Sequence, residues 1–213
     1  MIQEAQASSV HLARPPAAIK RTFDVILAVV ALVALTPLLL CLMAAIWCES
    51  PSNPIFVQER VGFNGRPFRL FKLRTMIPNA EAGLEPVAHL NEVQPPLFKV
   101  RKDPRVTRLG RFLRLTSLDE LPQLANVIRG EMSLVGPRPP LGHEVSQYTA
   151  HQARRLTVIP GLTGLWQVSG RSDCSFDDLV ALDLYYIDHW SFWLDLQLIA
   201  KTFWVVATCR GAY

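Results

Sequence analysis

From Val25 to Trp47 the chain runs 23 residues without a charge, about 34 Å if helical, which is enough to cross a hydrocarbon layer. Pro37 falls within this run, lacks an N–H donor and crowds the carbonyl of Val33, so a helix kinked or broken there is expected. The Thr36 hydroxyl is the expected partner of the freed carbonyl. Arg14, Lys20 and Arg21 precede the run, and Arg60, Arg66, Arg69, Lys72 and Arg74 follow it. Basic flanks on both sides read as two cytoplasmic ends. From the residues alone, a re-entrant hairpin that enters and leaves one leaflet and a single kinked span are equally open. A cleaved signal peptide fits poorly, because its apolar core is shorter and ends at a small-residue site.

Downstream the period changes. Residues 55–76 alternate around Asn64-Gly65, the strongest short hairpin signal, with Lys72 and Arg74 on one face of the second strand. Pro78, Pro86, Pro95 and Pro96 break up a long loop with one short helix expected between Glu81 and Leu90. Arg105, Arg108, Arg111 and Arg114 recur every three residues beside Val106, Leu109, Phe112 and Leu113, the pattern of a basic amphipathic helix. Pro122 belongs in a first helical turn, so a helix is expected from Asp119 or Glu120 to Gly130, with Leu121, Leu124, Val127 and Ile128 inward. Ser133 to Val135 reads as a short strand running into Gly136-Pro137-Arg138-Pro139-Pro140. The glycine-rich stretch Pro160 to Arg171 reads as a loop that a ligand approaches closely. From Trp190 to Val206 the pattern is helical and rich in tryptophan, and Asp195 and Lys201 argue for a helix in the membrane interface rather than a second span.

These elements make a mostly helical α+β chain of 213 residues: a flexible leader at 1–19, a membrane segment at 20–49 with its break expected at Thr36-Pro37, and a small cytosolic domain at 50–213 with a short hairpin and interfacial helices. Composition agrees, with 50% hydrophobic residues, 19% charged residues and a mean hydropathy of +0.19. A net charge of +4 suits anionic lipid, phosphorylated ligands or nucleic acid, so the placement of the bases decides among them. Cys41, Cys48, Cys174 and Cys209 show no metal or disulfide spacing, and the five histidines form no pair. The adjacent acids Asp119 and Glu120 stand out. At a helix start they read either as an ordinary cap or as a reactive dyad.

The order of five motifs carries a resemblance: Lys20-Arg21-x-x-Asp24, Phe71-Lys72-Leu73-Arg74-Thr75-Met76, Ser117-Leu118-Asp119-Glu120-Leu121-Pro122-Gln123, Gly136-Pro137-Arg138-Pro139 and Pro160-Gly161-Leu162-Thr163-Gly164. From Lys20 onward the chain resembles the bacterial sugar transferases, monotopic phosphoglycosyl transferases that move a sugar 1-phosphate from a UDP-sugar to a polyprenyl phosphate, and most of all the short exopolysaccharide-initiating members. The resemblance implies a re-entrant membrane helix broken at Pro37, Asp119 as nucleophile, Glu120 as its partner and Mg²⁺ held by the two. It implies phosphate or nucleotide contacts for Lys72, Arg114, Arg138 and Arg171, and a place in the site for Asp183. It further implies a bacterial inner membrane location with the site facing the cytoplasm, undecaprenyl phosphate and a UDP-sugar as substrates, and no nucleic acid; a homodimer stays open. Leu73 and Thr36 depart from residues common in that family, an aromatic and a serine. The competing readings are a membrane-tethered binder of anionic lipid or nucleic acid built on the basic helix, and a scaffold for polysaccharide enzymes.

Overall fold

The computed structural model describes residues 18–80, 100, 103–169 and 175–208. Most of the expected leader, the expected helix between Glu81 and Leu90, and Arg171 lie outside the described residues. The first helix, α1, runs from Ala18 to Glu49, two residues earlier than expected. Among the described residues it alone is long and apolar enough to cross a membrane. Helical geometry continues through Pro37, so the expected break does not interrupt the helix. The Thr36 hydroxyl donates to the Leu32 carbonyl at 2.7 Å rather than to Val33, because a helical hydroxyl bonds back to the residue four before it.

Both ends of α1 are tied to the globular body. At its start the buried Lys20 ammonium donates to Asp195 Oδ2 at 2.6 Å and to the Val135 carbonyl, while Asp24 accepts from Ser133 Oγ at 2.6 Å. Arg21 donates to the carbonyls of Val127 and Ile128 at a helix C-terminus. At its end Glu49 accepts from the amide of Leu109, and Arg74 donates to the Ser50 carbonyl. The Lys20-Arg21-x-x-Asp24 motif is therefore a buried clamp as well as a basic flank.

Strands β1 (Ile55–Val61) and β2 (Pro67–Leu73) pair antiparallel, with Phe56 opposite Lys72 and Arg60 opposite Phe68. The turn takes Asn64 and Gly65 to φ of 54° and 75°, the left-handed region those residues tolerate. Helix α2 spans Arg108–Thr116, capped by Thr107 Oγ1, which accepts from the Gly110 amide. It is shorter than expected, because Arg105 lies before it and is held by Asp103 at 2.6 Å. A 3₁₀ turn, Leu118–Gln123, precedes α3 (Leu124–Arg129), which ends at Gly130 with φ of 84°. The residue at the head of that turn is Ser117, so Asp119 is not the cap.

Strand β3 (Ser133–Val135) pairs parallel with β4 (Gly161–Thr163), which was expected as loop. A Cβ on Gly161 would lie 2.1 Å from the Gly136 nitrogen, and one on Gly164 would lie 2.3 Å from the Gly136 carbonyl oxygen. What approaches these glycines on that side is another backbone, and Gly161, Leu162 and Thr163 also line the large cleft, in keeping with the expectation that a ligand comes close to this stretch. Short helices α4 (Gly142–Val145) and α5 (Ala150–Ala153) lead to β4, and α6 (Leu165–Ser169), α7 (Phe176–Asp188) and α8 (Phe192–Ala207) complete the chain.

One core joins α1 through Ala28 to Leu70, Val127, Met132, Val135, Tyr186 and Leu198; a second joins Leu39 and Ile46 of α1 to Leu73 and Leu113. Asp195, expected to sit at the membrane interface, is 2% exposed and accepts from Lys20, Tyr186 and Trp190. It ties α8 to α1, so the cost of burying it is met by partners rather than avoided by water. Outward on α1 lie Ile26, Val30 and Val33, on α2 Phe112 and Leu115, and on α8 Trp193, Phe203 and Trp204, all exposed. Apolar exposure on this scale marks a membrane or partner surface.

Candidate active site

The hairpin, the 3₁₀ turn and α2 converge on one cleft of about 1430 Å³. Opposed residues of an antiparallel pair share a face, so Phe56, Gln58 and Arg60 of β1 line it together with Leu70 and Lys72 of β2. The dyad enters from the 3₁₀ turn. Lys72 Nζ lies 2.8 Å from Glu120 Oε1 and 4.0 Å from Asp119 Oδ2, a single ammonium bridging both acids.

Two contacts set this geometry. Asn126, fully buried in α3, donates to the Arg69 carbonyl at 2.7 Å and accepts from the Phe71 amide, which fixes β2 against the helix that follows the dyad. Gly110 lets α2 touch the chain after β2: a Cβ there would lie 2.0 Å from the Thr75 carbonyl oxygen. Thr75 Oγ1 in turn accepts from Arg114 Nε at 2.9 Å, which aims that guanidinium along the cleft.

Asp119 is 8% exposed, and burial pushes its carboxyl up to about 6. The neighbouring charges divide: Lys72 and Arg114 pull it down, and Glu120 pushes it up. The carboxylate is thus stripped of water yet still ionised at neutral pH, with cations close by. Arg60 is drawn in the opposite sense, lowered to about 9 by burial and by the neighbouring Arg138. Arg60 also donates to Gln58 and to the Pro139 carbonyl. Arg138 leans on Glu144 at 3.3 Å and lines the same cleft. Arg74 is 9% exposed, and its Nε and Nη1 have no acceptor among the described residues; it too lines the cleft, as does the Trp166 indole, whose N–H is likewise buried without an acceptor.

Lys72, Arg114, Arg138, Asp119 and Glu120 are therefore brought together as expected residues of one cleft. Asp183 is not among them. It is 1% exposed and bound by Arg155 at 2.7 Å, with burial raising it to about 6. Arg155 also donates to the Arg138 carbonyl, so this ion pair buttresses the turn that carries Arg138 instead of facing the cleft. Arg60 belongs to the acid-free basic run from Arg60 to Arg74, which the sequence offers either as a membrane-surface patch or as a phosphate-binding strand edge, though it does not single Arg60 out as a site residue. Its signal was present in the two-residue period that places it on the face of Lys72 once the turn at Asn64-Gly65 sets the register.

Among the described residues no three metal-binding side chains cluster. Two adjacent carboxylates nevertheless fit Mg²⁺, which takes one or two carboxylates and fills its other positions with water and substrate phosphate. The gap between them is already held by a cation, the Lys72 ammonium.

The bacterial sugar transferase family model matches residues 16–209. The chain belongs to that family. It is 44% identical to a UDP-galactose-lipid carrier transferase of Erwinia amylovora over 92% of this chain and 42% of the relative. It is 43% identical to the exopolysaccharide production protein ExoY of Sinorhizobium fredii over 91% of this chain and 88% of the relative. A UDP-glucose:undecaprenyl-phosphate glucose-1-phosphate transferase of Caulobacter vibrioides is 42% identical over 91% of this chain and 72% of the relative. The chain thus spans less than half of the first relative and most of the other two. The family expected from the motif order is the one found.

Proposed function

We propose that this chain is a membrane phosphoglycosyl transferase that moves a sugar 1-phosphate from a UDP-sugar to undecaprenyl phosphate and releases UMP. The observation that carries the reading is a desolvated carboxylate, Asp119, beside Lys72 and Arg114 in a cleft that also holds Arg60, Arg74 and Arg138. Asp119 attacks the phosphorus that bears the sugar, the bond to the UMP oxygen breaks, and UMP leaves. The lipid phosphate oxygen then attacks the phosphosugar-aspartate, the bond to Asp119 breaks, and the carboxylate is regenerated. Lys72, Arg114 and Arg138 neutralise phosphate charge, and burial keeps water from the acyl phosphate. Asp119 and Glu120 would hold Mg²⁺, whose chemistry there is neutralisation of the diphosphate.

The tethering of α1 supports a re-entrant path at the cytoplasmic face of the inner membrane. Its start, middle and end all pack on one globular body, whereas a span would carry one end away from it. A nucleic-acid binder is disfavoured, since Lys72, Arg60, Arg114 and Arg138 turn into a cleft instead of forming an outward stripe. Purified protein supplied with undecaprenyl phosphate and either UDP-galactose or UDP-glucose should release UMP with at least one donor, and only when Mg²⁺ is present. Absence of UMP release across a full panel of UDP-sugars would overturn the reading.

A further inference from the structure

The cleft does not end at the dyad. Helices α1 and α8 meet at their first turns, through the Lys20–Asp195 pair and an edge-on contact of Phe23 with Phe192 at 5.2 Å. Farther along, both helices line the same cavity that holds Asp119. From α1 come Leu27, Ala31 and Leu35, spaced four apart on one helical face, and from α8 come Ile199, Thr202, Phe203 and Val206. None of these seven is charged, and the one polar side chain, Thr202, has its hydroxyl bonded to Thr163 Oγ1 and the Leu198 carbonyl. Phe203 is 72% exposed, so this arm opens at the outer apolar surface formed by α1 and α8.

One continuous cavity therefore has a cationic end, with Lys72 and Arg114 beside Asp119, and an apolar end that opens where the exposed apolar side chains lie. That charge distribution matches an amphiphile with a phosphate head and a hydrocarbon tail, not a free nucleotide or a phosphopeptide, for which the α1–α8 arm offers only the Thr202 hydroxyl, already bonded within the protein. Resting on the proposed function, we infer that the arm between α1 and α8 takes the first isoprene units of the lipid acceptor. The acceptor phosphate then reaches Asp119 from the membrane side. Leu27 to Leu35 covers about 12 Å of helix, room for about two or three isoprene units, and the rest of a long polyprenol stays in the bilayer. The groove accordingly reads the head-proximal part of the chain and not its full length.

A farnesyl phosphate bearing a diazirine on its isoprenoid chain tests this directly, because cross-linking reports binding whether or not turnover occurs. The full chain in nanodiscs is irradiated with the probe, and adducts are mapped by peptide mass spectrometry. The expected result is adducts within residues 27–35 and 199–206, suppressed at least tenfold by excess undecaprenyl phosphate. Adducts spread over Phe112 and Leu115, or adducts that excess undecaprenyl phosphate does not suppress, would overturn the inference. Ala31→Phe should cut labelling about tenfold by filling the arm. Val30→Phe, on the exposed side of the same helix, should leave labelling unchanged. If Ala31→Phe does not accumulate, Ile199→Trp fills the arm from the opposite wall, and unchanged labelling in the folded variant would equally contradict the proposal. Failure of UMP release with labelling intact would count against the enzymatic reading; UMP release with labelling elsewhere would count against the groove.

Discussion

Replacing the nucleophile should make the protein more stable, and by an amount that depends on pH. Asp119 in the folded chain titrates at about 6, against 3.8 for an ordinary aspartate, chiefly because it is buried. In the unfolded chain it ionises near its ordinary value, so between those two pH values the folded state retains a proton that the unfolded state has lost. Stability from this group therefore falls as pH rises through that window, and the full penalty is present above pH 6. The difference of about two pH units corresponds to about 3 kcal/mol, of which Asp119→Asn should recover about 1–3 kcal/mol. Lys72 remains paired with Glu120 at 2.8 Å and Arg114 keeps its bond to Thr75 Oγ1, while the loss of the Asp119 charge beside Arg114 is one reason the recovery falls short of the full penalty. At about 2–4 °C per kcal/mol for a chain of this size, the variant should melt about 2–12 °C above the wild type at pH 8. Thermal unfolding followed by tryptophan fluorescence in detergent with EDTA measures this at pH 8, 6.5 and 4.5. The gap should close towards pH 4.5, where Asp119 is protonated in the folded state. A variant that melts below the wild type at pH 8, or a gap that does not change with pH, would refute the reasoning.

Lys72→Met removes the cation that holds Asp119 down, so the acid limb of the pH–rate profile should move upward along with a large loss of turnover; an unmoved limb would mean that Lys72 does not sense the dyad. Gly110→Ala places a methyl group 2.0 Å from the Thr75 carbonyl oxygen and should cost about 1–3 kcal/mol in a denaturant melt, with turnover falling further as Arg114 loses its aim. For topology, a cysteine at position 5 in a variant without native thiols should be shielded from an impermeant maleimide in intact cells, and labelling from outside would exclude the re-entrant path.

What was legible in the sequence was what neighbouring residues decide. Asn64-Gly65 dictates its own turn and hence the face shared by Lys72 and Arg60, and the apolar run dictates α1. The dyad was legible as a pair of acids but not as part of a 3₁₀ turn, because Ser117 enters the left-handed region at φ of 56° and takes the place expected for a cap. Strand β4 was missed because its pairing depends on Gly136, some 25 residues earlier, coming within touching distance of Gly161 and Gly164. Asp183 and Asp195 were misplaced for the same reason. Their roles are set by Arg155 and Lys20, distant partners that no local pattern reveals.

The central claim is that Asp119 carries the phosphosugar between the two substrates. Brief incubation of the purified protein with UDP-sugar and Mg²⁺ in the absence of lipid, followed by rapid quenching and peptide mass spectrometry, measures it most directly. The account predicts a hexose-phosphate adduct on Asp119 that forms with UMP release, disappears when undecaprenyl phosphate is added, and is absent from Asp119→Asn. Full turnover in Asp119→Asn, or UMP released only when both substrates are present with no adduct trapped, would contradict it.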